Sequence, residues 1–213
     1  MVNAVAKFEV DFSDIIAALA GPGIGVFPNF IDSQIVASLR HDVLSLGEHE
    51  LSPAGIGRAH ALQTNGNIRS DKTRWLEGDR PIQQYYLALM SRLKHTLNRE
   101  LFLGLKDYEC HYALYQTGDF YKKHLDAFRG RSNRRITTVL YLNDDWQVEH
   151  GGELVVYAAN GTEPVHRILP SAGTLVCFLA DEFPHEVLPA HRDRLSIAGW
   201  FRIDDPIAPS LCL

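Results

Sequence analysis

Apolar positions along this chain recur first at helical spacing and then, from about Tyr108 onward, at strand spacing. Ile15, Ile16 and Leu19 predict a short helix over 12–20, stopped by Gly21-Pro22-Gly23. Residues 25–31 read as a strand or an entry loop. Asp32 is a good N-cap for a second helix. Its apolar positions are Ile35, Val36, Leu39, Val43, Leu44 and Leu46; Arg40, His41 and Asp42 fall on its wet side, and Gly47 closes it. Pro81 opens a third helix. There Tyr85, Leu89, Leu93, Leu97 and Leu101 make one stripe, suited to packing on a sheet. Between the second and third helices, 48–67 holds no sustained period, as in a surface loop or a binding loop.

Short β-rich runs then follow one another at 109–116, 120–126, 135–142, 153–157, 165–168, 174–179, 185–188 and 195–203. Thr117-Gly118-Asp119, Asn143-Asp144-Asp145, Asn160-Gly161 and Pro170 to Gly173 separate several of them with turn chemistry. Evenly spaced short strands predict a sandwich or barrel. Helices first and strands after is an α+β order. A double-stranded β-helix (jelly roll) buttressed by N-terminal helices satisfies both. The expectation is one domain over 1–213, with 1–107 as helical support and substrate loop and 108–204 as the jelly-roll core.

Composition narrows the class. A net charge of −5 argues against general nucleic-acid binding, and no apolar run is long enough to span a bilayer. The N-terminus carries acids early and lacks a basic-then-apolar signal pattern. Cys110, Cys177 and Cys212 show no C-x-x-C spacing, and the first two sit in apolar runs, as small hydrophobes do in a reduced compartment. A soluble cytoplasmic protein, with neither nucleic acid nor membrane as partner, is expected.

The candidate chemistry centres on His124-Leu125-Asp126. On an extended strand alternate side chains share a face, so His124 and Asp126 stand together. An imidazole and a carboxylate supply two corners of a 2-His-1-carboxylate triad, which leaves the opposite face of a non-haem Fe(II) open. His185 is the candidate third corner. Arg194 follows, at the head of the apolar run LSIAGWF.

This ordered set, with Gly151-Gly152-Glu153-Leu154 between its parts, resembles the Fe(II)/2-oxoglutarate-dependent dioxygenases. NIRSDKTRWLEG at 67–78, YLNDDW at 141–146 and the PHEV…R…W ending narrow the resemblance to prolyl 4-hydroxylases of the hypoxia-factor type, over roughly 66–204. The three cysteines do not supply the zinc finger that some animal members carry. The resemblance implies Fe(II) on His124, Asp126 and His185, with 2-oxoglutarate and O₂ as cosubstrates, succinate and CO₂ as products, and ascorbate as an accessory reductant. It gives Arg194 the far carboxylate of 2-oxoglutarate, for which a guanidinium offers two parallel charge-assisted hydrogen bonds. Arg192, in a polar turn, is the rival. Tyr141 aligns with a family tyrosine whose hydroxyl helps bind that carboxylate, though it also reads as a cross-strand packing aromatic. Tyr115 is a further hydrogen bonder on that side.

Trp200 lies at an even offset from Arg194 and so shares its face on an unbroken strand, as a wall of the site or as core. The basic-aromatic stretch Arg69, Lys72, Arg74 and Trp75 is the candidate protein-substrate contact. It ends a segment, 51–75, whose composition suits a lid over the metal. The function implied is 4-hydroxylation of a prolyl residue in a protein, and for bacterial members the partner implied is a translation elongation factor. The alternatives are a 2-oxoglutarate dioxygenase acting on a small molecule, another protein side chain or a nucleic acid, and a non-catalytic jelly-roll binding module. Nucleic-acid demethylases typically carry a second Arg where this chain has Trp200.

Overall fold

In the computed structural model, which describes residues 10–55, 66–127 and 132–204, local signals start the helices where the sequence places them, and the second helix ends at Leu44, before Gly47. Asp32 accepts a hydrogen bond from the Gln34 N–H at 2.7 Å and starts α2 (Ser33–Leu44). Pro81 occupies the first turn of α3 (Pro81–Leu101), and α1 (Ser13–Ala20) ends at Gly21. Three early strands lie between them: β1 (Ile24–Phe27), β2 (Ser52–Pro53) and β3 (Lys72–Trp75). The chain then becomes strand throughout: β4 (Asp107–Tyr115), β5 (Tyr121–His124), β6 (Arg134–Tyr141), β7 (Leu154–Tyr157), β8 (Pro164–Ile168), β9 (Leu175–Leu179), β10 (His185–Val187) and β11 (Arg194–Arg202). These last eight are the runs that the period-two pattern predicts.

They form two antiparallel sheets. A seven-stranded sheet runs β1-β9-β6-β11-β4-β3-β2, and a four-stranded sheet runs β5-β10-β7-β8. The strand period divides the large sheet into two faces. Cys110, Tyr112, Leu140, Cys177, Ile197 and Phe201 pack with Leu39, Val43, Tyr86, Leu93 and Leu97 of the helices. Ala113, Tyr115, Val139, Tyr141, Val176 and Phe178 instead meet Leu154, Val156 and Val187 of the small sheet. This is the double-stranded β-helix buttressed by helices. The site lies between its two sheets.

Three expectations about the helices need correction. Asp42 is not on the wet side of α2 but 5 % exposed. Its carboxylate accepts from Tyr112 Oη at 2.7 Å, Gln83 Nε2 at 2.9 Å and Arg80 Nη1 at 3.0 Å. Partners from α3 and β4 make that burial possible, because a buried charge is tolerated when paired and hydrogen-bonded. Leu44, by contrast, is exposed. On α3 the buried aromatic is Tyr86, while Tyr85 is only half-buried. Among the described residues, no helix is long and apolar enough to cross a membrane. Cys110 and Cys177 are buried and unbridged, and burial pushes both thiols well up. Residues 56–65 of the expected lid, together with Cys212, lie outside the described residues.

Candidate active site

Strand pairing brings the two histidines together. His124, the last residue of β5, stands directly opposite His185, the first residue of β10. The strand ends sooner than expected, so Asp126 reaches the same place from the bend that follows it, not from the strand face. His124 Nε2 lies 3.5 Å from Asp126 Oδ1, and His185 Nε2 lies 3.5 Å from Oδ2. The ligand atoms of all three lie within 4.8 Å of one another, close enough to hold one metal ion.

Hydrogen bonds behind the cluster orient its rings. His124 Nδ1 lies 2.8 Å from the Lys122 carbonyl, and His185 Nδ1 lies 3.0 Å from the Phe183 carbonyl. A carbonyl only accepts, so each Nδ1 carries a proton, and each ring turns its Nε2 toward the cluster as the atom that can ligate a metal. Burial is the main force on His185 and, with His124 beside it, pushes the imidazole down to about 4. Burial alone would raise the Asp126 carboxyl, but His185, His124 and the Thr137 hydroxyl outweigh it and hold it well below the usual carboxylate range. Thr137 Oγ1 donates to Asp126 Oδ2 at 2.7 Å. Two imidazoles and an ionised carboxylate are the donor set of a divalent metal.

The same inner face of the large sheet carries Arg194, which is 1 % exposed. It heads β11 opposite Tyr115, and its guanidinium carbon lies 4.9 Å from the Tyr115 ring and 5.1 Å from the Tyr141 ring. Nε donates to the Gly152 carbonyl at 2.9 Å, and Nη1 reaches Ser196 Oγ at 3.4 Å. Among the described residues no carboxylate neutralises it. The Tyr141 hydroxyl beside it is buried and no acceptor meets it; burial pushes it up to about 12 against the opposing pull of the Arg194 cation, so it stays a donor. A buried cation with no anion, next to an orphaned hydroxyl, is costly unless a ligand supplies the acceptor. Both features fit the carboxylate of 2-oxoglutarate. Gly152 permits the approach: its φ is +68°, and a Cβ there would lie 3.1 Å from Arg194 Cδ. Arg192 lies elsewhere, half-buried over the Trp146 ring at 5.0 Å.

The expected substrate residues separate. Trp200 shares the inner face, as its even offset requires, and is 7 % exposed with a buried, unpartnered Nε1. Arg134 covers its ring at 3.6 Å. Trp75 meets His111 edge-on at 5.1 Å and lies 6.5 Å from Trp200, completing an aromatic wall. Lys72 and Arg74 are in register with Leu114 and Tyr112, on the helix side of the sheet, and Arg74 pairs with Asp79. Strand alternation thus takes these two away from the site. Arg69 is locked in a bidentate pair with Asp71. Sequence reasoning did not single out Thr137, Arg134, Asp71 or His111; Thr137, Arg134 and His111 meet partners outside their own strands, while Asp71 pairs with Arg69 two residues before it.

Comparison with known proteins agrees with this geometry. The family model of the 2OG-Fe(II) oxygenase superfamily matches residues 110–202. The crystal structure of a prolyl-4-hydroxylase from Pseudomonas putida is 40 % identical, with a TM-score of 0.81 over 91 % of this chain and 99 % of that one. The chain belongs to the 2OG-Fe(II) oxygenase superfamily. Another structural relative of this oxygenase is a Trichoplax adhaerens prolyl hydroxylase in complex with a hypoxia-inducible-factor peptide, 28 % identical with a TM-score of 0.78, covering 88 % of this chain and 87 % of that one. Egl nine homolog 1 of Rattus norvegicus is 27 % identical over 195 residues, 88 % of this chain and 57 % of the relative. The oxygenase spans about half the length of the curated relatives it matches.

Proposed function

We propose that the protein is an Fe(II)- and 2-oxoglutarate-dependent prolyl 4-hydroxylase acting on a protein substrate. One observation carries the chemistry: the His124–Asp126–His185 cluster bonds through Thr137 to the inner face of the large sheet, the face that also carries a buried arginine neutralised by no carboxylate among the described residues. Kinship with prolyl hydroxylases supports the substrate class.

Bound together, Fe(II), 2-oxoglutarate and O₂ supply the oxidant that places one oxygen atom on an unactivated C–H bond, with succinate and CO₂ released. The residues of this chain hold and aim that chemistry. His124, Asp126 and His185 would occupy one face of the metal and leave the other free. Their Nδ1–H groups, tied to the Lys122 and Phe183 carbonyls, keep both rings from turning. Thr137 fixes the carboxylate in the same way. Arg194 and Tyr141 would bind the far carboxylate of 2-oxoglutarate, and Tyr115 would border it. Around them Leu154, Val156, Val176 and Phe178 exclude water. Trp200, Trp75 and His111 offer an aromatic wall of the kind a pyrrolidine ring packs against.

The protein substrate is a translation elongation factor in the cytoplasm; the partner rests on resemblance to bacterial members. The test is mass spectrometry of a cell lysate treated with the purified enzyme, Fe(II) and 2-oxoglutarate. Gain of one oxygen on a prolyl residue of that factor supports the reading. Turnover of 2-oxoglutarate with oxygen gained only on small molecules overturns the substrate class.

A further inference from the structure

His124 is the least supported member of the metal cluster. Its strand, β5, is the edge of the small sheet, joined to β10 only through His185↔His124 and Val187↔Tyr121, with an irregularity between them. The chain leaves the strand immediately after His124. Its side chain is 17 % exposed, against 6 % for His185 and 7 % for Asp126. A metal ligand must be held within about half an ångström of its place by its surroundings, and this pairing alone holds it weakly.

The outer edge of β5 is taken by the residues that precede β3. Lys122 N–H donates to the Ile68 carbonyl at 2.9 Å, and Ser70 N–H donates to the Phe120 carbonyl at 3.2 Å. Arg69 and Tyr121 form an antiparallel bridge between them. Directly afterwards the same segment joins the large sheet as β3, with Lys72 opposite Leu114. It crosses from one sheet to the other at Asp71, which is 1 % exposed.

Two chains of contact lead from this crossing to His124. The first passes through side chains. Asp71 grips Arg69 at both ends of its fork, Oδ1 to Nε at 2.8 Å and Oδ2 to Nη2 at 2.7 Å. The guanidinium lies 4.4 Å over the Tyr121 ring, and that ring stacks on His124 at 3.6 Å with 15° between planes. The second passes through the backbone: Ile68 holds Lys122, whose carbonyl accepts the His124 Nδ1 proton.

We propose that Asp71, Arg69 and Tyr121 form a brace that positions His124 for the metal, so that displacement of 68–71 is felt at the metal itself. Arg69 is then a positioning residue and not a contact for the protein substrate. The proposal rests on the metal-cluster reading above. It also predicts a sign that charge alone would reverse. A cation beside a metal site repels the metal, so if charge were its main influence, neutralising Arg69 would slow metal release and Arg69→Lys would leave it unchanged. The brace predicts faster release.

The experiment measures release of Co(II) from the loaded protein into excess chelator, together with the Co(II) ligand-field spectrum. Tyr121→Phe keeps the stack and is expected to release metal within about twofold of the wild-type rate, because only the hydroxyl is lost. Tyr121→Leu removes the stack. Arg69→Lys keeps the charge beside Asp71 but loses the planar fork. Both are expected to release metal on the order of tenfold faster or more, the scale on which groups behind metal ligands act, with an altered spectrum. Wild-type release from either of these two, or fast release from Tyr121→Phe, overturns the brace. A wild-type protein that takes up no Co(II) refutes the proposed metal site instead.

Discussion

Replacing Arg194 with Met keeps an elongated side chain of similar reach and removes its charge. In the native protein the guanidinium is 1 % exposed, and Gly152 O and Ser196 Oγ occupy only part of its N–H donors. The donors left over, with the Tyr141 hydroxyl, are assigned to the far carboxylate of 2-oxoglutarate. Breaking a buried charge pair by removing one partner costs about 3–5 kcal/mol, or roughly a hundred- to several-thousand-fold in affinity. The assay is thermal unfolding of the Mn(II)-loaded protein with and without 2-oxoglutarate. At a ligand concentration of about 100 times its Kd, the wild type gains about 2.7 kcal/mol, and a variant binding a hundredfold more weakly gains about 0.4 kcal/mol. For a chain of this size each kcal/mol moves Tm by about 2–4 °C. The wild-type shift should therefore be about 5–11 °C and the variant's about 1 °C. Arg192→Ala, which alters a half-buried side chain over Trp146 and outside the site, should retain the full shift. Equal loss in the two variants would refute the assignment.

Three further outcomes follow from the same geometry. Tyr141→Phe removes a buried hydroxyl that has no partner in the free protein; it should leave unliganded stability unchanged or raised in urea unfolding, yet weaken 2-oxoglutarate binding about tenfold or more by calorimetry. Gly152→Ala places a Cβ 3.1 Å from Arg194 Cδ at a φ of +68°; it should destabilise by about 1–2 kcal/mol and reduce the 2-oxoglutarate-dependent Tm shift. Burial, with Arg69 nearby, pushes the His111 imidazole down to about 4, whereas in the unfolded chain it titrates near 6.5. The unfolded state alone binds that proton between the two values, so stability is full above about pH 6.5 and falls toward pH 4 by up to about 3 kcal/mol. The difference in unfolding free energy between wild type and His111→Phe across that window isolates this residue from His185, and a pH-independent difference would contradict it.

Legibility followed distance along the chain. Strands β4 to β11 announce themselves by alternation and turn residues, and the inward direction of Trp200 follows from its even offset from Arg194. His124 and Asp126 were readable as a pair because two residues suffice to place them. The contacts that make the site work were not readable. Thr137 reaches Asp126 only because β6 lies beside that bend, and Asp42 is buried because Tyr112, seventy positions away, donates to it. Lys72 and Arg74 looked like part of one basic patch with Arg69, but β3 turns them to the helix face while Arg69 precedes the crossing between sheets. A charge run describes composition, and strand register decides which of its members share a surface.

The central claim is that the His124–Asp126–His185 cluster hydroxylates proline in a protein. Its most direct test is mass spectrometry of a lysate incubated with the enzyme, Fe(II), 2-oxoglutarate and isotopically labelled O₂, beside a parallel sample with Asp126→Ala. The account predicts one labelled oxygen on a prolyl residue of a protein with the wild type and none with the variant. Labelled proline from both proteins, or 2-oxoglutarate consumed by the wild type in that lysate with no label on any prolyl residue, would contradict it.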